Sequence, residues 1–124
     1  MDLSMKVLVV DDFATMRFII RWALKHLGFT NIIEADDGSA ALRELKREKV
    51  GLILSDWKMP RMTGLDLLRA VRSDESLKDI PFIMVTAEGQ TDNVLEAVKT
   101  GVSSYIVKPF APETLEGQIR QVLS

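Results

Sequence analysis

The sequence contains no cysteine. Disulfides, thiolate zinc sites and thiol nucleophiles are therefore excluded. There is one histidine, His26, too few for a histidine-built metal centre. No run approaches the ~18 apolar residues that span a bilayer, and the first five residues carry no basic, apolar leader pattern. A cytoplasmic location with no membrane partner is the expectation. The formal net charge is −2, which offers nothing electrostatic to a nucleic acid. Neither a Gly-x-Gly-x-x-Gly stretch nor a P-loop is present. What remains is an ordinary globular composition, 47% hydrophobic and 27% charged. The 124 residues suffice for one domain with its own core. Residues 1–4 read as a flexible tail, and Met5 serves equally well as a start.

The chain is organised around Gly51-Leu-Ile-Leu-Ser-Asp-Trp-Lys-Met-Pro60. Residues 50–54 form an almost wholly apolar run, the pattern of a strand covered on both faces. The run leads into a carboxylate, Asp56. Burying an unpaired charge is costly, so packing does not explain it. Sites in open parallel sheets form beyond the carboxyl ends of the strands.

Other strands are expected at residues 6–10, 31–35, 81–85 and 103–107. A helix over 13–27 follows from apolar residues at Phe13, Met16, Ile20, Ala23, Leu24 and Leu27, with Gly28 as its stop. Further helices are expected after Gly38 and after the 60–64 loop. Another covers 92–99, with Val94, Leu95 and Val98 as its apolar side, and the last opens at Pro112. Five βα units with short connections imply a doubly wound parallel five-stranded sheet.

All parallel strands end at one edge. That edge collects Asp11 and Asp12, Asp56, Thr86 and Lys108. Each taken alone reads equally as a helix cap or a solvated charge. Five together at one edge do not. Clustered carboxylates repel, and one tends to keep its proton unless a cation is near. Lys108 is one such cation. A hard divalent metal is the other, and magnesium suits an all-oxygen ligand set that leaves room for phosphate. A carboxylate beside magnesium attacks phosphorus to form an acyl phosphate. Lys108 and the metal neutralise the phosphoryl oxygens, and the Thr86 hydroxyl donates to one of them.

This ordered set resembles the receiver domain of bacterial two-component response regulators. Asp11-Asp-Phe-Ala-Thr-Met-Arg17, Asp56-Trp57, Met84-Val-Thr-Ala-Glu88 and Tyr105-Ile-Val-Lys-Pro-Phe110 resemble the CheY-like chemotaxis members in particular. The resemblance covers the chain from Lys6 onward. It implies the flavodoxin-like fold with strand order 2-1-3-4-5. It implies that Asp56 is the phosphoacceptor, and that Asp11, Asp12, Asp56 and the backbone carbonyl of Lys58 hold Mg2+. Thr86, Lys108 and the amide near Ala87 bind the phosphoryl group. Thr86 and Tyr105 form the switch, and the Lys108-Pro109 bond is cis. The implied partners are a CheA-like sensor histidine kinase, a phosphatase and the flagellar motor switch. The protein is then a phosphoacceptor with autophosphorylation and autodephosphorylation chemistry, not an enzyme in the usual sense.

Several residues carry two readings. Lys58 stands where many chemotaxis members have a neutral amide; it either reaches Glu88 or the metal site and modulates the phosphate, or keeps its head in water. Phe18 and Trp22 fall nearly opposite the Met16, Ile20, Leu24 stripe, as either a partner patch or apolar groups covered by basic stems or a neighbouring helix. His26 reads as a partner of the helix dipole. Trp57 reads as a wall of the site.

Other functions fare less well. A haloacid-dehalogenase-like phosphatase needs a second aspartate two residues after the nucleophile, where Lys58 stands. A flavodoxin-like cofactor module needs a hydroxyl- and glycine-rich loop where Asp11 and Asp12 would repel a flavin phosphate. The 89–92 stretch lacks the lysines of the best-known chemotaxis members. A stand-alone receiver in another pathway, or a phosphate sink, is the alternative output.

Overall fold

The computed structural model describes residues 1–87 and 91–124, with the side chains of 91–93 excepted. The strands are β1 (Lys6–Val10), β2 (Asn31–Ala35), β3 (Val50–Ser55), β4 (Phe82–Thr86) and β5 (Ser104–Val107). The helices are α1 (Ala14–Leu27), α2 (Gly38–Arg47), α3 (Gly64–Ser73), α4 (Thr91–Thr100) and α5 (Pro112–Leu123). All pairings are parallel and the order is β2-β1-β3-β4-β5. This is the flavodoxin-like arrangement that the resemblance implies.

The sheet splits the core into two layers because strand side chains alternate between its faces. Leu8, Val10, Ile53, Phe82 and Met84 pack with Ala41, Leu45, Leu67, Leu68 and Val71 of α2 and α3. Val7, Val9, Leu52, Leu54, Ile83 and Val85 pack with Ile20, Ala23 and Leu24 of α1 and with Leu115 and Ile119 of α5. These strands read as continuous apolar runs because both faces are covered. Each fully buried side chain of this size contributes about 1.5–3 kcal/mol of transfer free energy.

Two helical expectations need correction. Phe13 is not on the core stripe of α1. It is the N-cap residue, extended at φ −97°, and 67% exposed. Among the described side chains of α4 the buried one is Ala97, while Leu95 and Val98 are exposed. A short alanine lets α4 lie close, so the bulkier residues beside it face outward. At the opposite end of the sheet from the strand-end residues, Asn31 donates to the Ser4 carbonyl at 2.7 Å and ties the first residues to the start of β2.

Candidate functional site

The strand order reverses between β1 and β3, and a crevice opens beyond their carboxyl ends. The backbone fixes both lips. Asp56 donates its amide to the Val10 carbonyl (2.9 Å), and Asp11 donates to the Ala35 carbonyl (3.1 Å). The first residues past the two strands are thereby held side by side. On the far side, the Lys108 amide donates to the Thr86 carbonyl at 2.8 Å. The Lys108-Pro109 bond is cis.

Asp11, Asp12 and Asp56 each present a carboxylate oxygen within 4.8 Å of the others. Asp11 and Asp56 are buried and Asp12 is exposed, so the cluster opens to solvent on one side. Lys108 enters from β5. Its Nζ donates to Asp11 Oδ2 at 2.9 Å and stands 3.5 Å from Asp56 Oδ2. Asp11 Oδ1 accepts from the Phe13 amide (2.9 Å), and Asp56 Oδ1 accepts from the Trp57 amide (2.7 Å). Burial pushes the Asp56 carboxyl above its ordinary range; Asp11 adds to the rise, while Lys108 and the Trp57 amide oppose it. An all-carboxylate donor set with an open side fits a hard divalent cation that keeps some of its waters.

A cavity of about 400 Å³ adjoins the cluster. Asp56, Lys58, Thr86, Ala87 and Lys108 line it, with Phe13 and Met16 as an apolar wall. The structure thus brings the expected phosphoryl-site residues to one opening. Thr86 is buried, and Tyr105 is half-buried with its ring edge-on to Trp57 at 6.4 Å. Glu88 and most of the 89–92 stretch lie outside the described residues.

Phe18 and Trp22 lie away from this site. They line a separate groove on α1 together with Arg21, Lys25 and Glu34. Phe18 is 67% and Trp22 52% exposed. His26 does sit in the last turn of α1, yet it also stacks on Trp22 (5.4 Å) and meets Glu116 of α5 at 2.8 Å.

Sequence reasoning missed three supports of the site. Arg17 Nη1 donates to the Asp11 carbonyl at 2.6 Å and so holds the β1 lip from α1. Gly64 approaches the Asp56 carbonyl so closely that a Cβ would lie 2.0 Å from it. Arg61 forms an ion pair with Asp37 across two loops. The Gly64 requirement had a signal, a glycine opening a helix just after the candidate nucleophile. The arginines had none, because nothing local shows what an arginine reaches.

A doubly wound sheet with an aspartate cluster and a lysine at its carboxyl edge defines a class of phosphoryl-accepting modules. The chain matches the response regulator receiver domain over residues 7–120, and it belongs to that family. It is 52% identical to the chemotaxis protein CheY of Pseudomonas aeruginosa, covering 95% of each chain. Among solved structures it is similar to the chemotaxis response regulator CheY4 of Vibrio cholerae, with a TM-score of 0.88 at 34% identity, covering 96% of this chain and 98% of that one. It is also similar to the receiver domain of sensor histidine kinase PA1611 from Pseudomonas aeruginosa PAO1, with a TM-score of 0.85 at 26% identity, covering 98% and 99% of the chains. That structure has a magnesium ion coordinated in its active-site cleft. Proteins of this family are signalling proteins and not enzymes of the usual kind.

Proposed function

We propose that this protein is a cytoplasmic chemotaxis response regulator, one receiver domain over 1–124, that is phosphorylated on Asp56 by a CheA-like histidine kinase. The observation that carries the reading is the Asp56 carboxylate at the tip of β3, clustered with Asp11 and Asp12 and facing Lys108. An Asp56 oxygen attacks phosphorus, the bond from phosphorus to the donor's imidazole nitrogen breaks, and the imidazole leaves with its electron pair. The Lys108 ammonium, 3.5 Å from Asp56, stabilises charge on the phosphoryl oxygens. Asp11, Asp12, Asp56 and the Lys58 carbonyl would hold Mg2+, whose contribution is to neutralise those same oxygens.

The added phosphoryl brings about −1.5 to −2 charge and three strong acceptors. Thr86, on the same cavity, donates to one of them, and so does the amide near Ala87. Tyr105 responds through the space beside Trp57. Lys58 and Glu88 tune the lifetime of the modified state. Exposed Leu95, Val98 and Val107 then belong to the surface that reads it, with the motor switch and a phosphatase as partners. Phe18 and Trp22 form a second docking patch, for a kinase domain, a phosphatase or a second copy of this chain.

Acetyl phosphate with Mg2+ tests the central step. Intact-mass measurement is expected to show one added phosphoryl group on the wild type and none on Asp56→Asn. A wild type that gains no mass, or an Asp56→Asn protein that gains it equally, overturns the assignment. A pull-down of the phosphorylated form with motor switch proteins tests the output.

A further inference from the structure

The loop between β3 and α3 carries an unusual turn. The Met62 amide donates to the Pro60 carbonyl at 2.7 Å, which closes a three-residue turn with Arg61 at its centre. Arg61 has φ +67°, a left-handed value found at no other described non-glycine residue. A γ-turn with positive φ at its centre is the rarer and strained form. An arginine stays there only if its surroundings hold it.

Asp37 holds it. This aspartate is buried and caps α2. Its two oxygens are divided between two tasks. Oδ1 accepts from the Ala40 amide at 2.8 Å, which is the helix cap. Oδ2 accepts from Arg61 Nε at 2.7 Å and also from Arg61 Nη2. Beside the pair, Met62 packs so tightly on Gly38 that a Cβ there would lie 2.6 Å from it. The loop is closed at its base by the Gly64 amide, which donates to the Trp57 carbonyl at 2.8 Å. Its middle is therefore anchored to α2 and its two ends to each other. Lys58 lies between those two anchors.

We infer that Asp37 and Arg61 form a clamp that positions the 57–63 loop for metal binding, by fixing the strained turn that follows the Lys58 carbonyl. Asp37 and Arg61 are positioning residues and touch neither the metal nor the phosphoryl group. The inference depends on the reading that Asp11, Asp12, Asp56 and Lys58 hold Mg2+. Without the clamp the turn relaxes and the loop samples positions in which the Lys58 carbonyl does not face the carboxylates. Those positions must be left again on binding, which lowers apparent affinity.

The test is a Mg2+ titration followed by Trp57 fluorescence in a Trp22→Phe background, well below the unfolding temperature. Arg61→Ala removes the clamp and leaves a side chain that disfavours positive φ. It is expected to bind Mg2+ about fivefold more weakly, less than the ~10–100-fold cost of losing a direct partner of a metal ligand. Arg61→Gly removes the clamp but accepts the turn, so it falls between Arg61→Ala and wild type. Asp37→Asn keeps a good N-cap and loses the charge, and should match Arg61→Ala. The double variant Asp37→Asn/Arg61→Ala should be no worse than either single one. In the metal-free protein, the Met62 and Gly64 amides should exchange faster in Arg61→Ala.

A purely structural pair would lower thermal stability while leaving Mg2+ affinity and those two amides unchanged, and that result overturns the clamp. If the wild type itself shows no saturable Mg2+ response, the metal-site reading fails and the inference falls with it. Equal affinities in a wild type that does saturate overturn the clamp alone.

Discussion

Asp56 is held in a place that suits its proton better than its charge. Its carboxyl lies above the unfolded value near ~3.9 because it is buried beside Asp11. The folded state therefore keeps this proton longer than the unfolded chain does. The group's contribution is most favourable below the unfolded pKa. It declines as pH rises toward the folded value, and above that the ionised carboxylate opposes folding. Asp56→Asn is expected to raise the melting temperature of the metal-free protein at neutral pH by about 4 °C, corresponding to ~1 kcal/mol in a chain of this size. The gain should shrink toward pH 4. In the wild type Mg2+ at its proposed site would offset the same repulsion, by about 1.4 kcal/mol at ten times its dissociation constant. Equal melting temperatures without metal would contradict this account. Lys58 lines the same cavity, and on our proposal it competes there with the cation. Lys58→Asn should bind Mg2+ about threefold more tightly, in line with the ~0.2–1 kcal/mol of an exposed charge pair. Unchanged affinity and an unchanged dephosphorylation rate would leave Lys58 as a solvated lysine.

At the scale of elements, the β3 to α3 connection matters most. The opening of α3 is well specified by local chemistry. Thr63 accepts from the Asp66 amide and Asp66 accepts from the Thr63 amide, which is a capping box. Gly64 then has to pass against the Asp56 backbone. Gly64→Ala should cost about 2–3 kcal/mol, because its Cβ meets backbone that cannot rotate away. It should also weaken Mg2+ binding, since Asp56 and Trp57 are the backbone displaced. Urea midpoints and the fluorescence titration measure the two effects; a midpoint equal to wild type would mean the loop yields freely. Helix boundaries were legible from periodicity to within a residue or two. The outward faces of Leu95 and Val98 were not. The periodicity identifies an apolar side, whereas which side meets the sheet depends on how α4 lies beside α3.

At the scale of the molecule, one edge of the sheet carries the chemistry, and the helices carry surfaces that the fold leaves uncovered. Phe18 and Trp22 on α1 are the clearest of these. Their exposure followed from helical geometry, since the inward side of α1 was already supplied by Ile20, Ala23 and Leu24. The stack of Trp22 on His26 and the contact of His26 with Glu116 needed the packing of α1 against α5. Trp22→Ala should change stability by less than ~0.5 kcal/mol, because an exposed ring contributes little to the core. As a docking residue it should weaken kinase binding by about tenfold, within the range of an interface tryptophan. Unaltered phosphotransfer kinetics and unaltered self-association would remove the patch as a functional surface.

The amino-acid order by itself determined the strands, the helices and the residues at the strand tips. Those features are local: apolar period, turn residues, and what stands one place beyond a buried run. Chain direction alone then placed Asp11, Asp12, Asp56, Thr86 and Lys108 on the same edge. The tertiary structure alone decided how close they come, which carboxylate Lys108 binds, and what braces the loop around Lys58. Those depend on contacts between residues far apart in the chain, such as Asp37 with Arg61 and Lys108 with Asp11. A pattern of neighbours along a chain contains no distance between residues that meet only when the sheet closes.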